Sequence, residues 1–314
     1  MGANRRPSYC VEDACSFIFE RGIQGAIQIT TRTKITRIMR KDKLIKEWFG
    51  FNVRYWNDLK HRAKLHGHLE NSETLPQEIM AEAEPIFVLS TGRVGTMLLT
   101  RLFELEQGLH IEHEALPEML LAGKTAYDTA DLSFSKGAFM AGRYEAIRDY
   151  KLRGLRYVET NNRLTFFAPA IAELFPKAKF IHLLRHPDSF VSSGIQRNWY
   201  TGKTITDEGR ITPPASLDIE SRTDKIAWLW NTTNSFIDEF KAGLGKDRTL
   251  TVRSEDLFSN KEEAMRILNW LNFSADERSV QRVLDIPVNK SRKKKEKQTY
   301  DMALVPLVDK YYRR

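Results

Sequence analysis

The chain has 314 residues, 41% hydrophobic and 29% charged, an ordinary usage for a folded protein that excludes disordered, collagenous and fibrous classes. Two cysteines, Cys10 and Cys15, exclude a disulfide scaffold and are too few for a zinc site without histidine help. No apolar run approaches the ~20 residues that span a bilayer, and the opening stretch MGANRRPSYCVEDACSF lacks the apolar core of a secretory signal, so the expected localisation is cytoplasmic.

The formal charge is +8, from 49 basic against 41 acidic residues, and much of it is concentrated in KSRKKKEK, residues 290–297, with six basic residues and one glutamate. Residues 1–84 read as a helical N-terminal extension. Within it, Ile35, Ile38, Met39, Ile45 and Phe49 recur at helical spacing over 33–49 among Arg37, Arg40, Lys41, Lys43 and Lys46. Such a helix packs on the main body with a basic outer face, or rests against a membrane surface or an acidic polysaccharide. The acidic stretch 71–85 reads as a connector.

From residue 85 to residue 314 the pattern is that of an α/β domain with a basic C-terminal segment. Strands are expected at 86–90, 109–113, 155–159, 179–184 and 249–253, and helices at 97–106, 164–175, 188–197, 222–242 and 261–271. This alternation predicts a parallel central sheet flanked by helices. The Gly- and Pro-bearing stretch 201–221 is a loop long enough to be functional.

Two motifs carry chemistry. STGRVGT, residues 90–96, lies between a strand and a helix, where consecutive amides wrap a phosphate and the helix N-terminus favours negative charge. The candidate binding set is Thr91, Gly92, Arg93, Val94, Gly95, Thr96 and Met97. GxxxxGK[ST] is absent, so the loop is not that of an ordinary ATPase or GTPase. In FIHLLRHPDSFVSSGIQR, residues 180–197, Arg185 ends a strand, Pro187 opens a helix and Ser193 lies on it. Arginine and serine so placed converge on one anion. Two anion sites at neighbouring strand ends imply a ligand with two separated phosphate-like groups.

At these residues the sequence resembles the sulfotransferases that use 3′-phosphoadenosine-5′-phosphosulfate, PAPS, over roughly 85–271, including FPKAKFIHLLRHP and VRSEDL. The resemblance implies a P-loop nucleotide-kinase-like fold, closest to the bacterial and glycan-type members, and no metal. It makes STGRVGT the 5′-phosphosulfate loop, with Arg93 as both binder and catalytic cation. Arg185 and Ser193 become the grip on the 3′-phosphate. Arg292 and Lys290 are candidates for a further contact to that phosphate. The family's adenine-stacking tryptophan has no counterpart, since Leu98 stands there, and Ser254 replaces a tyrosine of the late motif.

Sulfuryl transfer also needs a base. Glu159 leads, because ETNNR resembles the EKT or EKS motif of glycan and bacterial members, with Thr160 in place of its lysine and Arg163 as a substitute cation. His113, also at a strand end, is the rival, histidine being the side chain suited to proton exchange near neutrality. His182 and His186 are assigned to packing or local hydrogen bonding. The expected function is sulfonate transfer from PAPS to a hydroxyl or amine of a carbohydrate or glycan-like acceptor. The alternative acceptors are a small alcohol, phenol or lipid, with Trp199, Trp228 and Trp230 near the pocket. The non-enzyme readings are a basic nucleotide- or nucleic-acid-binding protein, but no zinc finger, RRM or helix-turn-helix pattern supports a nucleic-acid partner.

Overall fold

The computed structural model describes residues 74–286 and 298–312. The expected extension before residue 74, the basic helix over 33–49, and the run 290–297 with Lys290 and Arg292 lie outside the described residues. A helix, α1 (Leu75–Glu82), occupies part of the segment read as a connector. Pro76 sits in its first turn, where no hydrogen bond is lost, and Ile79 buries into the core.

The chain then alternates β1 (Ile86–Leu89), α2 (Thr96–Phe103), β2 (Leu109–His113), α3 (Leu120–Thr129), α4 (Leu132–Phe139), α5 (Glu145–Leu152) and β3 (Arg156–Thr160). It continues through a 3-10 segment (Asn162–Phe167), α6 (Ala168–Leu174), β4 (Lys179–Leu184), α7 (Pro187–Gln196) and α8 (Arg222–Ala242). The last described elements are β5 (Thr249–Arg253), α9 (Ser254–Ser259), α10 (Lys261–Trp270), α11 (Glu277–Asp285) and α12 (Leu307–Tyr312). The five strands pair in parallel in the order β2-β3-β1-β4-β5.

Strand alternation divides the core. Phe87, Tyr157 and Phe180 face Phe139, Phe167, Ile171 and Ile237 on one side of the sheet, while Val88, Val158 and Ile181 face Leu98, Leu99, Ile267 and Val280 on the other. The central strand IFVL is buried at every position, which is why it reads as an unbroken apolar run. A third cluster gathers Phe190, Trp199, Trp228 and Trp230 with Val305 and Val308, so the three tryptophans are core rather than an open pocket lining.

Going out from β1, the sheet runs one way through β3 to β2 and the other through β4 to β5. That reversal makes the carboxyl ends of β1 and β4 the crevice where ligands of such sheets bind.

Candidate active site

The turn after β1 is held in a conformation that exposes its amides. Gly92, Arg93 and Gly95 all have positive φ, at 77°, 56° and 98°, a succession that bends backbone N–H groups toward one concave side. The N–H groups of Arg93, Val94, Gly95, Thr96 and Met97 find no acceptor among the described residues. Around them the loop is pinned. Thr165 Oγ1 accepts from Ser90 N at 3.0 Å and donates to Ser90 O at 2.9 Å, Ser90 Oγ accepts from Gly92 N, and Val94 is fully buried. Ser254, at the start of α9, faces the carbonyls of Val94 and Leu184, tying the loop to the end of β4. Substitution would disturb this loop. A Cβ on Gly95 would fall 2.7 Å from Phe258 Cζ, and one on Gly92 would fall 3.1 Å from the Asn162 side chain.

A cationic cluster faces the loop. Arg185 Nη1 donates to the carbonyl of Arg93 at 3.0 Å, and Trp230 Nε1 fixes Arg185 by donating to its carbonyl at 2.7 Å. Burial, then the guanidiniums of Arg197 and Arg185, press the pKa of Arg93 below its ordinary value, with Glu114 acting the other way. Burial also lowers that of Arg185, opposed by Glu255. Arginine stays charged regardless, so at Arg93 the part of the shift that comes from Arg197 and Arg185 reports positive charges held close together, an arrangement an incoming anion relieves. Ser193, whose hydroxyl bonds nothing among the described residues, stands one helical turn before Arg197. Arg197 is the cation that motif reading passed over; its signal was the four-residue step from Ser193.

The two base candidates part company. Glu159 lies wholly inside: its side chain is 0% exposed and that of its partner Arg143 is 1% exposed. Arg143 donates to both its oxygens, Nε to Oε2 at 2.7 Å and Nη2 to Oε1 at 2.9 Å. Tyr157 Oη and Asn161 Nδ2 also donate to it, at 2.8 and 3.0 Å. Burial and then the Glu159 charge push the Tyr157 hydroxyl well above its ordinary range. A carboxylate with both oxygens committed and no opening to an acceptor does not suit the base role expected of Glu159. It anchors Arg143 instead, which in turn donates to the carbonyls of Ala115 and Pro117 and so holds the turn that follows His113. Nothing in the sequence flagged Arg143, which sits in a helical stretch without a motif.

His113 ends β2 opposite Thr160 and is only half-buried. Its Nδ1 is 2.8 Å from Thr160 Oγ1 and 3.1 Å from Thr160 O. Thr160 Oγ1 lies 3.0 Å from Thr100 Oγ1, which donates to Thr96 O, and Thr160 Oγ1 itself reaches the carbonyl of Glu112 at 3.5 Å. The Thr160 carbonyl can only accept, so Nδ1 of His113 carries the proton. This tautomer leaves Nε2 with a lone pair. The same chain of bonds runs from His113 to the first residue of the helix that follows the phosphate loop. Glu114, next in sequence, is close enough to Arg93 to act on its charge.

Arg163, read as a substitute cation, lies 3.4 Å from Glu118 and 3.8 Å from Glu114 rather than on the loop. His182 and His186 have the local roles expected of them. Lys241 Nζ donates to His182 Nδ1 and Asn234 Oδ1 receives its Nε2 proton, while His186 caps α7 by accepting from Asp188 N. Leu98 is buried among core residues and offers no face to a ligand. Beyond Arg197, the 201–221 stretch borders a cleft of about 470 Å³ lined by Tyr200, Asp207, Asp218, Glu220 and Lys225 among others. Among the described residues no cluster of His, Cys, Asp and Glu has the make-up of a metal site, and no helix is long and apolar enough to cross a membrane.

A glycine-bearing loop at the switch point of a parallel sheet, facing arginines from the next strand and helix, defines an α/β protein with a candidate anion-binding crevice. Its sequence narrows this further: the pattern of the sulfotransferase family matches residues 85–277, and the chain belongs to that family. Solved structures similar in fold include the sulfotransferase domain from the curacin biosynthetic pathway, at 19% identity over 65% of this chain and 78% of that one, with a TM-score of 0.44. Sulfotransferase STF1 from Mycobacterium tuberculosis H37Rv matches at 13% identity over 67% and 75%, TM-score 0.42. Mouse sulfotransferase SULT7A1, complexed with PAP, matches at 14% over 68% and 69%, TM-score 0.38. No curated protein matches the sequence.

Proposed function

We propose that this sulfotransferase takes its sulfonate from PAPS and delivers it to a hydroxyl or amine of a carbohydrate-like acceptor. The observation that carries the donor is the row of open amides from Arg93 to Met97 beneath Arg93, Arg185 and Arg197. That donor set fits two phosphate-type groups, one in the loop and one against Arg185, Ser193 and Arg197. Bound there, PAPS supplies a sulfonate on a phosphate leaving group.

The chain's own work is then positioning and charge. The loop amides and Arg93 hold the 5′ end and neutralise the negative charge that grows on it. Arg185 and Ser193 fix the other phosphate. His113 accepts the acceptor's proton at Nε2, its ring held by Thr160, and this assignment replaces Glu159 because Glu159 is sealed behind Arg143. The acceptor lies toward the cleft beside Tyr200, whose lining mixes Asp207, Thr212, Asp218, Glu220 and Lys225 with Pro213, Pro214 and Ile219, a polar and apolar combination that suits a polyhydroxylated ring better than a lipid chain.

Two measurements test the reading. Calorimetry is expected to detect binding of adenosine 3′,5′-bisphosphate, and mass spectrometry of acceptor mixtures incubated with PAPS is expected to find saccharides that gain a sulfonate. Absence of nucleotide binding by the folded wild-type protein removes the donor assignment. Transfer confined to phenols or small alcohols replaces the acceptor assignment while leaving the donor in place.

A further inference from the structure

The side chain of Arg185 leaves the carboxyl end of β4, and the peptide unit that joins it to His186 is gripped on both sides. Trp230 Nε1 of α8 donates to the Arg185 carbonyl at 2.7 Å, and Glu255 Oε1 of α9 accepts from the His186 N–H at 2.9 Å. One residue earlier, Ser254 Oγ donates to the Leu184 carbonyl at 2.9 Å. A planar peptide whose carbonyl and N–H are both bound cannot turn without losing a bond. Its orientation sets the point from which the Arg185 guanidinium reaches the Arg93 carbonyl.

Glu255 is itself held from a third element. Its Oε2 accepts from the Tyr312 hydroxyl at 3.1 Å. The Tyr312 ring stands edge-on to His186, with centroids 4.8 Å apart, and Arg253 Nη1 donates to the Tyr311 carbonyl at 3.2 Å, so α12 is fastened beside the end of β4. As a charge, a carboxylate near Arg185 works against an incoming anion. What it supplies there is a strong, charge-assisted acceptor for a backbone N–H.

We infer that Glu255 is a positioning residue of the nucleotide site: it locks the Arg185–His186 peptide so that Arg185 points at the 3′-phosphate, and Tyr312 couples α12 to that setting. The inference rests on the nucleotide-donor reading above. Both residues act through Arg185 rather than by contact with the nucleotide.

The test measures by calorimetry the affinities for adenosine 3′,5′-bisphosphate and adenosine 5′-phosphate, which differ only in the phosphate given to Arg185, on wild type, Glu255→Ala, Glu255→Gln and Tyr312→Phe. Glu255→Ala is expected to weaken bisphosphate binding about fivefold, the size of effect of one hydrogen bond, and to leave binding of the 5′-phosphate unchanged. Glu255→Gln, which keeps an oxygen for the His186 amide and removes the charge, is expected to bind the bisphosphate at least as tightly as wild type. Tyr312→Phe is expected to shift the ratio of the two affinities in the same direction as Glu255→Ala, by a smaller factor. An unchanged ratio in Glu255→Ala overturns the inference and leaves the donor reading intact. Equal loss for both ligands overturns it in favour of a general packing role, and tighter bisphosphate binding in Glu255→Ala overturns it in favour of simple charge repulsion. An unchanged ratio in Tyr312→Phe overturns the coupling to α12. Failure of wild type to prefer the bisphosphate overturns the inference together with the 3′-phosphate assignment beneath it.

Discussion

Replacing Glu159 by glutamine distinguishes a catalytic from an architectural carboxylate. The substitution keeps the shape and removes the charge that faces Arg143, whose side chain is 1% exposed. Breaking a buried pair by removing one partner costs about 3 to 5 kcal/mol, since the remaining ion is left in a poorly solvating interior. Glutamine retains an oxygen for Arg143, which places Glu159→Gln near the lower end, about 3 kcal/mol. Its amide also meets Tyr157 Oη and Asn161 Nδ2, both of which now donate to carboxylate oxygens. The expected result in urea unfolding is a midpoint well below wild type. The double variant Arg143→Met, Glu159→Leu should be less destabilised than the two single changes summed, because it leaves no orphaned charge. Turnover should fall no further than the loosened 114–118 turn dictates, whereas His113→Ala should lower it about 100-fold or more with nucleotide affinity intact. If Glu159→Gln unfolds like wild type yet loses turnover as His113→Ala was expected to, the reasoning fails and Glu159 is the base.

Arg185→Ala should lower affinity for adenosine 3′,5′-bisphosphate by a factor corresponding to about 2 kcal/mol or more, read by calorimetry, and Arg185→Lys should recover only part of it because the fork is lost. Arg93→Ala should reduce turnover about 100-fold, since charge growing on the leaving phosphate is then uncompensated; rapid-quench measurement of single turnovers checks it. Stability should fall with acid from near pH 6.5. Burial first, and Lys241 second, depress the pKa of His182 from 6.5 to about 3, so below 6.5 the unfolded chain binds a proton that the folded one refuses. The contribution is therefore complete above pH 6.5 and erodes by up to about 1.4 kcal/mol per pH unit as pH falls toward 3. Denaturant midpoints from pH 7 to 4 should show this slope, and His182→Gln should flatten it.

The sheet and the glycine-bearing turn after β1 were legible because their signals are local. Strands 109–113, 179–184 and 249–253 and the helix over 222–242 occupy the residues expected of them: the inner strand 179–184 is buried at five of its six positions, and the long helix opens on a capping serine, Ser221, and closes before Gly243. The stretch 71–85 misled for the opposite reason. It is acidic, and one buried side chain, Ile79, docks its helix. Arg143 and Arg197 left little trace, because what makes each informative is a neighbour far away in sequence: Glu159 for one, Arg93 for the other.

The proposed move of the base from Glu159 to His113 follows from strand geometry that resemblance to a motif does not include. Successive strand residues face opposite sides, so Glu159 shares a side with Tyr157 while Thr160 shares one with Val158. The Tyr157 side is sealed by Phe139, Phe167 and Ile171 of the surrounding helices, and a carboxylate placed there requires a buried cation, which Arg143 supplies. On the other side Thr160 meets Thr100 of the helix that begins at the phosphate loop, and β2 brings His113 alongside in register. A half-buried imidazole linked by hydrogen bonds to the helix that follows the loop is therefore placed at the carboxyl end of β2. Thr160→Val removes the hydroxyl link but leaves the carbonyl that also receives Nδ1–H, so His113 should keep its tautomer, and turnover should fall less than in His113→Ala. An equal loss in the two variants would mean that the hydroxyl chain, rather than the imidazole, carries the proton.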